Sequence, residues 1–207
     1  MKTNPMSFRG INISNTQNLK LYKITPKDSF FLEELSSKID LKKLQPDLDN
    51  DGIDVCSYII KRGLRCAQWN STESVLLAYK NVPCGILVST PERKKNVVDY
   101  IATWPIKRGE KPSLGGKTMF LQMFEDNLIK DAKPVELDAV RYGKAISFYM
   151  QLGFGAIGGD FNYETMRIGV EKIKKAIEIL KEKISLVKTN NTEDVDLYKE
   201  LKFPTLE

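Results

Sequence analysis

A chain of 207 residues, 42% hydrophobic and 29% charged, has the make-up of one folded domain with modest extensions, which excludes a disordered or fibrous protein. It contains no histidine, so Ser-His-Asp and Cys-His catalysis, histidine-ligated zinc and histidine proton shuttles are excluded. The formal charge of +5 is dispersed, with lysines interleaved by glutamates rather than gathered in a stripe, so nucleic acid is not an expected partner.

Residues 1–18 are polar and Asn-rich and are expected to form a loose arm. Leu19-Lys-Leu-Tyr-Lys-Ile24 alternates apolar and polar residues, which predicts a strand with one buried face. Thr25-Pro-Lys-Asp28 offers an N-cap ahead of Phe30, Phe31 and Leu35, so a helix starts there. A second helix is expected over residues 55–64, closing at Gly63. Before it, Asp47-x-Asp-x-Asp-Gly52 reproduces the first half of a calcium loop. Tyr58 occupies the position that needs a bidentate Glu, so a solvated acidic loop is the simpler reading. Residues 74–79 and 84–89 read as apolar strands joined by a hairpin at Lys80-Asn-Val-Pro83, and residues 97–104 extend the meander.

The order then changes. Residues 105–116 form a Gly/Pro/Lys-rich loop that leads into a helix over 117–130. A strand over 134–140, a short helix over 144–152 and a hairpin over 156–168 follow. From Val170 to Val187 apolar residues recur at helical spacing, with Glu171–Lys175 and Lys174–Glu178 as expected ion pairs. The tail carries a late apolar cluster, Leu197, Tyr198, Leu201 and Phe203. This predicts a mixed α/β (α+β) domain over 19–168, with a mostly antiparallel sheet flanked by helices. A loose arm (1–18) precedes it, and an extra helix and tail (169–207) follow. No apolar run approaches about 18 residues and the N-terminus lacks a signal-peptide core, so no membrane span is expected. Cys56, Cys66 and Cys84 are odd in number and widely spaced, as idle thiols in a reducing cytoplasm would be. No metal site is expected.

Two segments carry candidate chemistry. At Gly115-Gly116 the unpaired N–H groups of a first helical turn, with the helix dipole, make an anion site that no side chain obstructs. Lys107, Arg108, Lys111 and Lys117 add positive charge beside it. Gly116-Lys117-Thr118 reproduces the end of a P-loop, which would imply a nucleotide triphosphatase. The first glycine of that motif would fall at Lys111, and an antiparallel meander fits a parallel P-loop sheet poorly. In the helix of residues 144–152, Ala145, Phe148 and Leu152 make one apolar face. Gly153 supplies a left-handed cap, and Tyr149 is the only titratable group in the helix body.

The pattern Ala145-x-x-Phe148-Tyr149-x-x-x-Gly153-Phe154, with the element order over residues 19–168, resembles the GNAT N-acetyltransferase superfamily. The resemblance implies direct transfer of an acyl group, most simply acetyl, from acetyl-CoA to a primary amine, without a metal or covalent intermediate. Ile101-Ala-Thr103-Trp-Pro105 resembles the end of the family's fourth strand, so the main chains of Ile101 and Thr103 are expected to hold the pantetheine. Thr118-Met-Phe-Leu121 resembles the start of its helix. In that register Gly115 matches the first glycine of the family's Arg/Gln-x-x-Gly-x-Gly/Ala motif, Lys117 replaces the second, and Pro112 replaces the Arg/Gln. The implied pyrophosphate set is Gly115, Gly116 and Lys117, with Lys107 and Arg108 beside them.

Tyr149 is the implied general acid for the departing thiolate, since a phenol of ordinary pKa, about 10, stays protonated at neutral pH. The amine needs a base; Asp99, sharing strand parity with Ile101 and Thr103, is the first candidate, ahead of Glu136 and Asp138. Tyr142 stands where the family often has asparagine. The implied acceptor is an amine-bearing small molecule or protein, and Asp47, Asp49, Asp51 and Asp54 would favour a cationic one. A monomer or homodimer is expected. Two alternatives stay open: a non-catalytic CoA-binding or interaction module on the same fold, and the nucleotide triphosphatase.

Overall fold

The structure is a computed structural model and describes residues 9–15, 18–184, 187–188 and 194–204. Strands are β1 (Arg9–Asn15), β2 (Leu19–Ile24), β3 (Glu73–Tyr79), β4 (Val82–Pro91), β5 (Asn96–Thr103), β6 (Val135–Val140), β7 (Gly155–Gly159), β8 (Tyr163–Ile168), β9 (Val187–Lys188) and β10 (Asp194–Asp196). Helices are α1 (Ser29–Lys38), α2 (Leu41–Leu44), α3 (Asn50–Cys66), α4 (Gly115–Lys130), α5 (Ala145–Gln151), α6 (Val170–Lys183) and α7 (Leu197–Glu200). The described strands form one ten-stranded sheet in the order β10-β1-β2-β3-β4-β5-β6-β8-β7, with β9 also on β1. Every pairing is antiparallel except β5 with β6. None of the described helices is long and apolar enough to cross a membrane.

Both faces of the central sheet are covered. Leu77, Leu87 and Val135 pack with Phe120 and Phe124 of α4 and Ile173 and Leu180 of α6. On the other face Tyr22, Leu76 and Ile86 pack with Phe31 and Leu35 of α1 and Ile60 and Leu64 of α3. Two-sided burial explains why β3 and β4 read as near-continuous apolar runs. It also corrects β2: Leu21 and Tyr22 are both fully buried, on opposite faces.

The hairpin turns at Lys80-Asn81, both with positive φ (52° and 63°), the backbone twist that a two-residue loop between right-twisted strands requires. A single 3-10 turn, Pro26–Asp28, leads into α1 and carries the expected Thr25 cap, with the Thr25 N–H and hydroxyl donating to Asp28 Oδ2 at 2.8 and 2.9 Å; α1 itself starts without a side-chain cap. At the end of α5, Gly153 (φ 95°) donates to the Met150 carbonyl and Phe154 to that of Tyr149, the paired bonds of a Schellman cap.

Other expectations are corrected. Of the supposed loose arm, Arg9–Asn15 is a strand, because it finds partners in β2, β9 and β10; residues 1–8 and 16–17 lie outside the described set. Helix α3 starts in the acidic run, where the Asp49 carboxylate caps the Gly52 N–H at 2.7 Å. Helix α6 stops at Lys183, and Val187 belongs to β9. Its ion pairs are Glu171–Lys174 and Lys181–Glu125, the latter a tertiary contact to α4 rather than a pair within the helix. The late apolar cluster docks: Leu197 and Leu201 are buried, and Phe203 stacks on Phe31 with ring centroids 5.5 Å apart.

Candidate functional site

The two parallel strands at the middle of the sheet separate. Pairing of β5 with β6 runs through Asn96–Val135, Val97–Glu136 and Val98–Leu137, and ends there. Beyond that pair β5 stays on β4 while β6 stays on β8, so the sheet forks. The hydrogen bond from the Trp104 N–H to the Cys84 carbonyl (2.8 Å) sets the phase of the β4–β5 ladder. Antiparallel ladders alternate, so Tyr100 and Ala102 bond to β4 while Ile101 and Thr103 turn their N–H and C=O groups into the fork. The Arg141 N–H to Asn162 carbonyl bond (2.9 Å) sets β6–β8 in the same way and turns the main chain of Asp138 and Val140 inward from the other arm.

The fork is the floor of a cleft of about 780 Å³ beneath α3. Val98, Ile101 and Leu137 line its base, with Tyr149 of α5 beside them. The Tyr149 ring is wedged among Phe120, Phe148 and Phe154, with centroids 5.4 to 6.0 Å away. Its hydroxyl makes no hydrogen bond to a described residue. Although the residue is half-buried, its surroundings are dry enough to push the phenol up to about 12.

Asp99 is the first residue of β5 past the last parallel pair, and Asp138 is the first of β6. The placement of Asp99 depends on a bulge in β5, where it is the extra residue opposite the Val88–Ser89 step of β4. Val98 and Ile101, three apart, therefore pack into one core, while Tyr100 and Ala102 pack into the other. Asp99 lines the cleft on the α3 side with Tyr100, which corrects its expected parity with Ile101 and Thr103. Loss of water under α3 holds its carboxyl above the usual range, opposed by the Thr90 hydroxyl, which donates at 2.7 Å. Asp138 accepts from Thr165 at 2.7 Å and has no cationic partner among the described residues. Glu136, the other carboxylate on that strand, is engaged by Lys95 and by Arg167 at 3.3 Å.

Helix α4 starts at the end of the loop that leaves β5. Gly115 and Gly116 lie in its first turn, with no side-chain cap. The Thr118 N–H takes the Leu114 carbonyl at 2.8 Å, so the Gly116 and Lys117 N–H groups before it have no intrahelical acceptor. The glycines differ in role. A Cβ at Gly115 would sit 2.9 Å from Leu77 Cδ2, so this residue seats the helix on the sheet. A Cβ at Gly116 would stand 3.1 Å from Phe148 Cζ, which ties the helix start to α5. Lys117 is half-buried at the edge of a neighbouring groove with Met150 and Leu152. The Thr118 hydroxyl is buried and donates to the Leu114 carbonyl at 2.9 Å, so it is not available to a magnesium ion as a P-loop threonine is.

Lys107 and Arg108 lie in a tight turn closed by the Lys107–Glu110 bridge and Gly109 (φ 74°). Lys107 pairs with Glu110 at 3.1 Å and Lys80 pairs with the same carboxylate at 2.7 Å, so much of this loop's charge is internally balanced. Tyr142 follows β6 and reaches α3. Its hydroxyl donates to Asp49 Oδ1 at 2.7 Å, joining the end of β6 to the cap of α3. Of the aspartates named from the sequence Asp54 lines the cleft, while the aromatic residues beside it from α3 and the last hairpin, Tyr58, Phe161 and Tyr163, were missed. The aspartates of residues 47–54 were the available signal, and the helical start at Asn50 places Asp54 on the face turned to the sheet.

No family model matches the sequence, and no curated protein is similar to it. Solved structures are. The PaiA N-acetyltransferase of Thermoplasma acidophilum in complex with coenzyme A aligns with a TM-score of 0.54 at 15% identity, over 74% of this chain and 99% of that one. A proposed acetyltransferase of T. thermophilus aligns at 0.55 and 12% identity, over 89% and 100%. FdhC, a nucleotide-linked sugar GNAT, aligns at 0.51 and 12% identity, over 82% and 93%. The likeness spans nearly the whole of each of these proteins, and the fold of this chain is the GNAT fold.

Proposed function

We propose that the protein transfers an acyl group, most simply acetyl, from acyl-coenzyme A to a primary amine by direct attack. The observation that carries this reading is the fork. It exposes the unpaired main-chain edge of Ile101 and Thr103 next to the half-buried Tyr149, whose hydroxyl has no described protein partner. The residues present fit the cofactor: the free first-turn N–H groups of Gly116 and Lys117 suit a pyrophosphate, with no Cβ at Gly116 to hold it off. Gly115 supports them by letting the helix sit directly on Leu77 and Thr103.

Bound acyl-coenzyme A would supply the thioester. Ile101 and Thr103 orient it by adding main-chain hydrogen bonds along the open arm of β5. Asp99 takes the ammonium proton at its carboxylate, helped by the desolvation that raises its affinity for protons. As the new C–N bond forms and the C–S bond breaks, Tyr149 gives the proton on Oη to the leaving sulfur, and the second proton released from nitrogen restores the phenol through solvent. The dry surroundings that raise the phenol act on a thiolate in the same direction, which keeps donor and acceptor matched.

Calorimetry with acetyl-CoA, followed by thiol release over a panel of primary amines, tests the reading. Failure to bind at millimolar concentration would overturn it. The second reading, a non-catalytic CoA-binding module, is favoured by Pro112 in place of the motif's cation and by the pairing of Lys107 with Glu110. Tight binding without thiol release from any amine would decide for it.

A further inference from the structure

The fork carries a carboxylate on each arm, and each is held from outside by a threonine. Asp99 of β5 accepts from Thr90 of β4, and Asp138 of β6 accepts from Thr165 of β8, both at 2.7 Å. The two bonds are built differently. Thr165 is the direct partner of Asp138 in a regular antiparallel ladder. Thr90 is paired with Val97, and Asp99 comes two residues later as the extra residue of the bulge, so its bond crosses a diagonal between the strands. Thr90 and Asp99 line the same wing of the groove, a space of about 420 Å³. Loss of water there favours the neutral acid, which accepts no proton, and the Thr90 hydroxyl opposes it. The nearby Glu92 carboxylate adds to the first effect and the main-chain N–H of Asp99 to the second. The other titratable groups around Asp99 are Asp138 across the fork and the Cys66 thiol of α3; Lys95, in the same wing, is engaged by Glu136.

We propose that Thr90 is a positioning residue for deprotonation of the acceptor amine, a role that rests on the acyl-transfer reading above. Its hydroxyl ties Asp99 Oδ2 to β4, which fixes the carboxylate in its charged form and leaves Oδ1 to take the ammonium proton. In that step one N–H bond breaks, an O–H bond forms at Oδ1, the electron pair stays on nitrogen, and Thr90 keeps its own hydrogen. The bulge is what makes the arrangement possible, because it turns Asp99 to the face that Thr90 shares. Thr90 thereby selects Asp99 over Asp138 as the base.

The test uses the full chain, acetyl-CoA and the primary amine that gives the fastest thiol release, with kcat/KM followed across pH. The acid limb of that profile reports the base of the free enzyme. Thr90→Val keeps the side-chain shape and suits a strand, but removes the donor. The neutral acid is then favoured, so the limb is expected to move to higher pH by about one unit, and Thr90→Ser to bring it back. In an Asp99→Asn background, Thr90→Val is expected to change kcat/KM by less than about twofold, because the hydroxyl then has no base to act on. A limb that stays in place in Thr90→Val, at a melting temperature near wild type, overturns the proposal while leaving acyl transfer standing. A limb that Thr165→Val moves instead overturns it in favour of Asp138. Absence of thiol release from every amine removes the acyl-transfer reading and the proposal with it.

Discussion

The Tyr142 hydroxyl and the Asp49 carboxylate meet at 2.7 Å, and the same carboxylate oxygen accepts the Gly52 N–H at 2.7 Å. One oxygen thus caps α3 and anchors β6 to it, and both donors hold the Asp49 carboxyl below its ordinary range. The contact is so close that a Cβ at Gly52 would lie 2.2 Å from the Tyr142 oxygen. Gly52→Ala is therefore expected to destabilise by about 1–3 kcal/mol through overpacking, although alanine is the better helix former. In a Tyr142→Ala background the same change should be neutral or stabilising. Urea unfolding of the four proteins in this cycle checks it, and equal costs in both backgrounds would exclude the clash.

Tyr149→Phe removes a hydroxyl that no described residue uses. The melting temperature and the Kd for coenzyme A are expected to stay near wild type while kcat falls by about 10²-fold or more, the scale of a lost general acid. With the phenol at about 12, no loss of activity from its ionisation is expected below about pH 11. An unchanged kcat would leave Tyr149 as a packing residue.

Asp99 carries a pH signature. Its folded pKa is raised above the reference 3.8, so the folded chain binds that proton more tightly than the unfolded chain does. The stability this brings is fully present below the unfolded pKa and is lost as pH rises through the folded one. Asp99→Asn is therefore expected to raise the melting temperature near pH 7, with a gain that shrinks as the pH falls toward 3.8. The same variant should lower kcat/KM for amines by about 10²-fold. Thermal scans across that range, paired with rates, separate the two effects.

The two halves of the basic loop should behave differently. Gly116→Val places carbon before the first-turn N–H groups and against Phe148, so coenzyme A affinity is expected to drop by about tenfold or more. Lys107→Ala, whose ammonium is engaged by Glu110, is expected to change it less than threefold, about 0.6 kcal/mol. Calorimetry with free coenzyme A compares them directly.

Helix α6 is part of the core. Leu180→Ala, at a site 3% exposed and packed with α4 and the sheet, is expected to cost about 2–5 kcal/mol. A loss below about 0.5 kcal/mol in urea unfolding would show α6 to be a detachable appendage.

Much of this chain was legible residue by residue because its signals are local. The Gly153–Phe154 cap and the Thr25–Asp28 cap need only neighbouring residues and stand as expected, and the hairpin turns within the expected Lys80–Pro83 link, shortened to Lys80-Asn81 because Val82 and Pro83 already pair in β4. The meander, the strand-loop-helix and the Ala145–Phe154 pattern together pointed to the fold that the solved structures share. What failed was non-local. Arg9–Asn15 looked loose because its partners lie in β2 and, some 180 residues away, in β9 and β10. Glu171 and Lys174 paired three apart rather than as expected, and Lys181 reached another helix.

The candidate site divides along the same line. By itself, the sequence determined that a histidine-free chain must draw on carboxylates, lysine, tyrosine, cysteine, termini or water, placed Tyr149 on a capped helix, and set two glycines at the start of another. Only the tertiary structure decided that β5 and β6 part after Val98–Leu137, that a bulge turns Asp99 beneath α3, and that Tyr142 reaches Asp49 at the start of α3. Periodicity assigns a side chain to a face only while the ladder stays regular. One extra residue in β5 reverses that assignment, and only the partner strand reveals it.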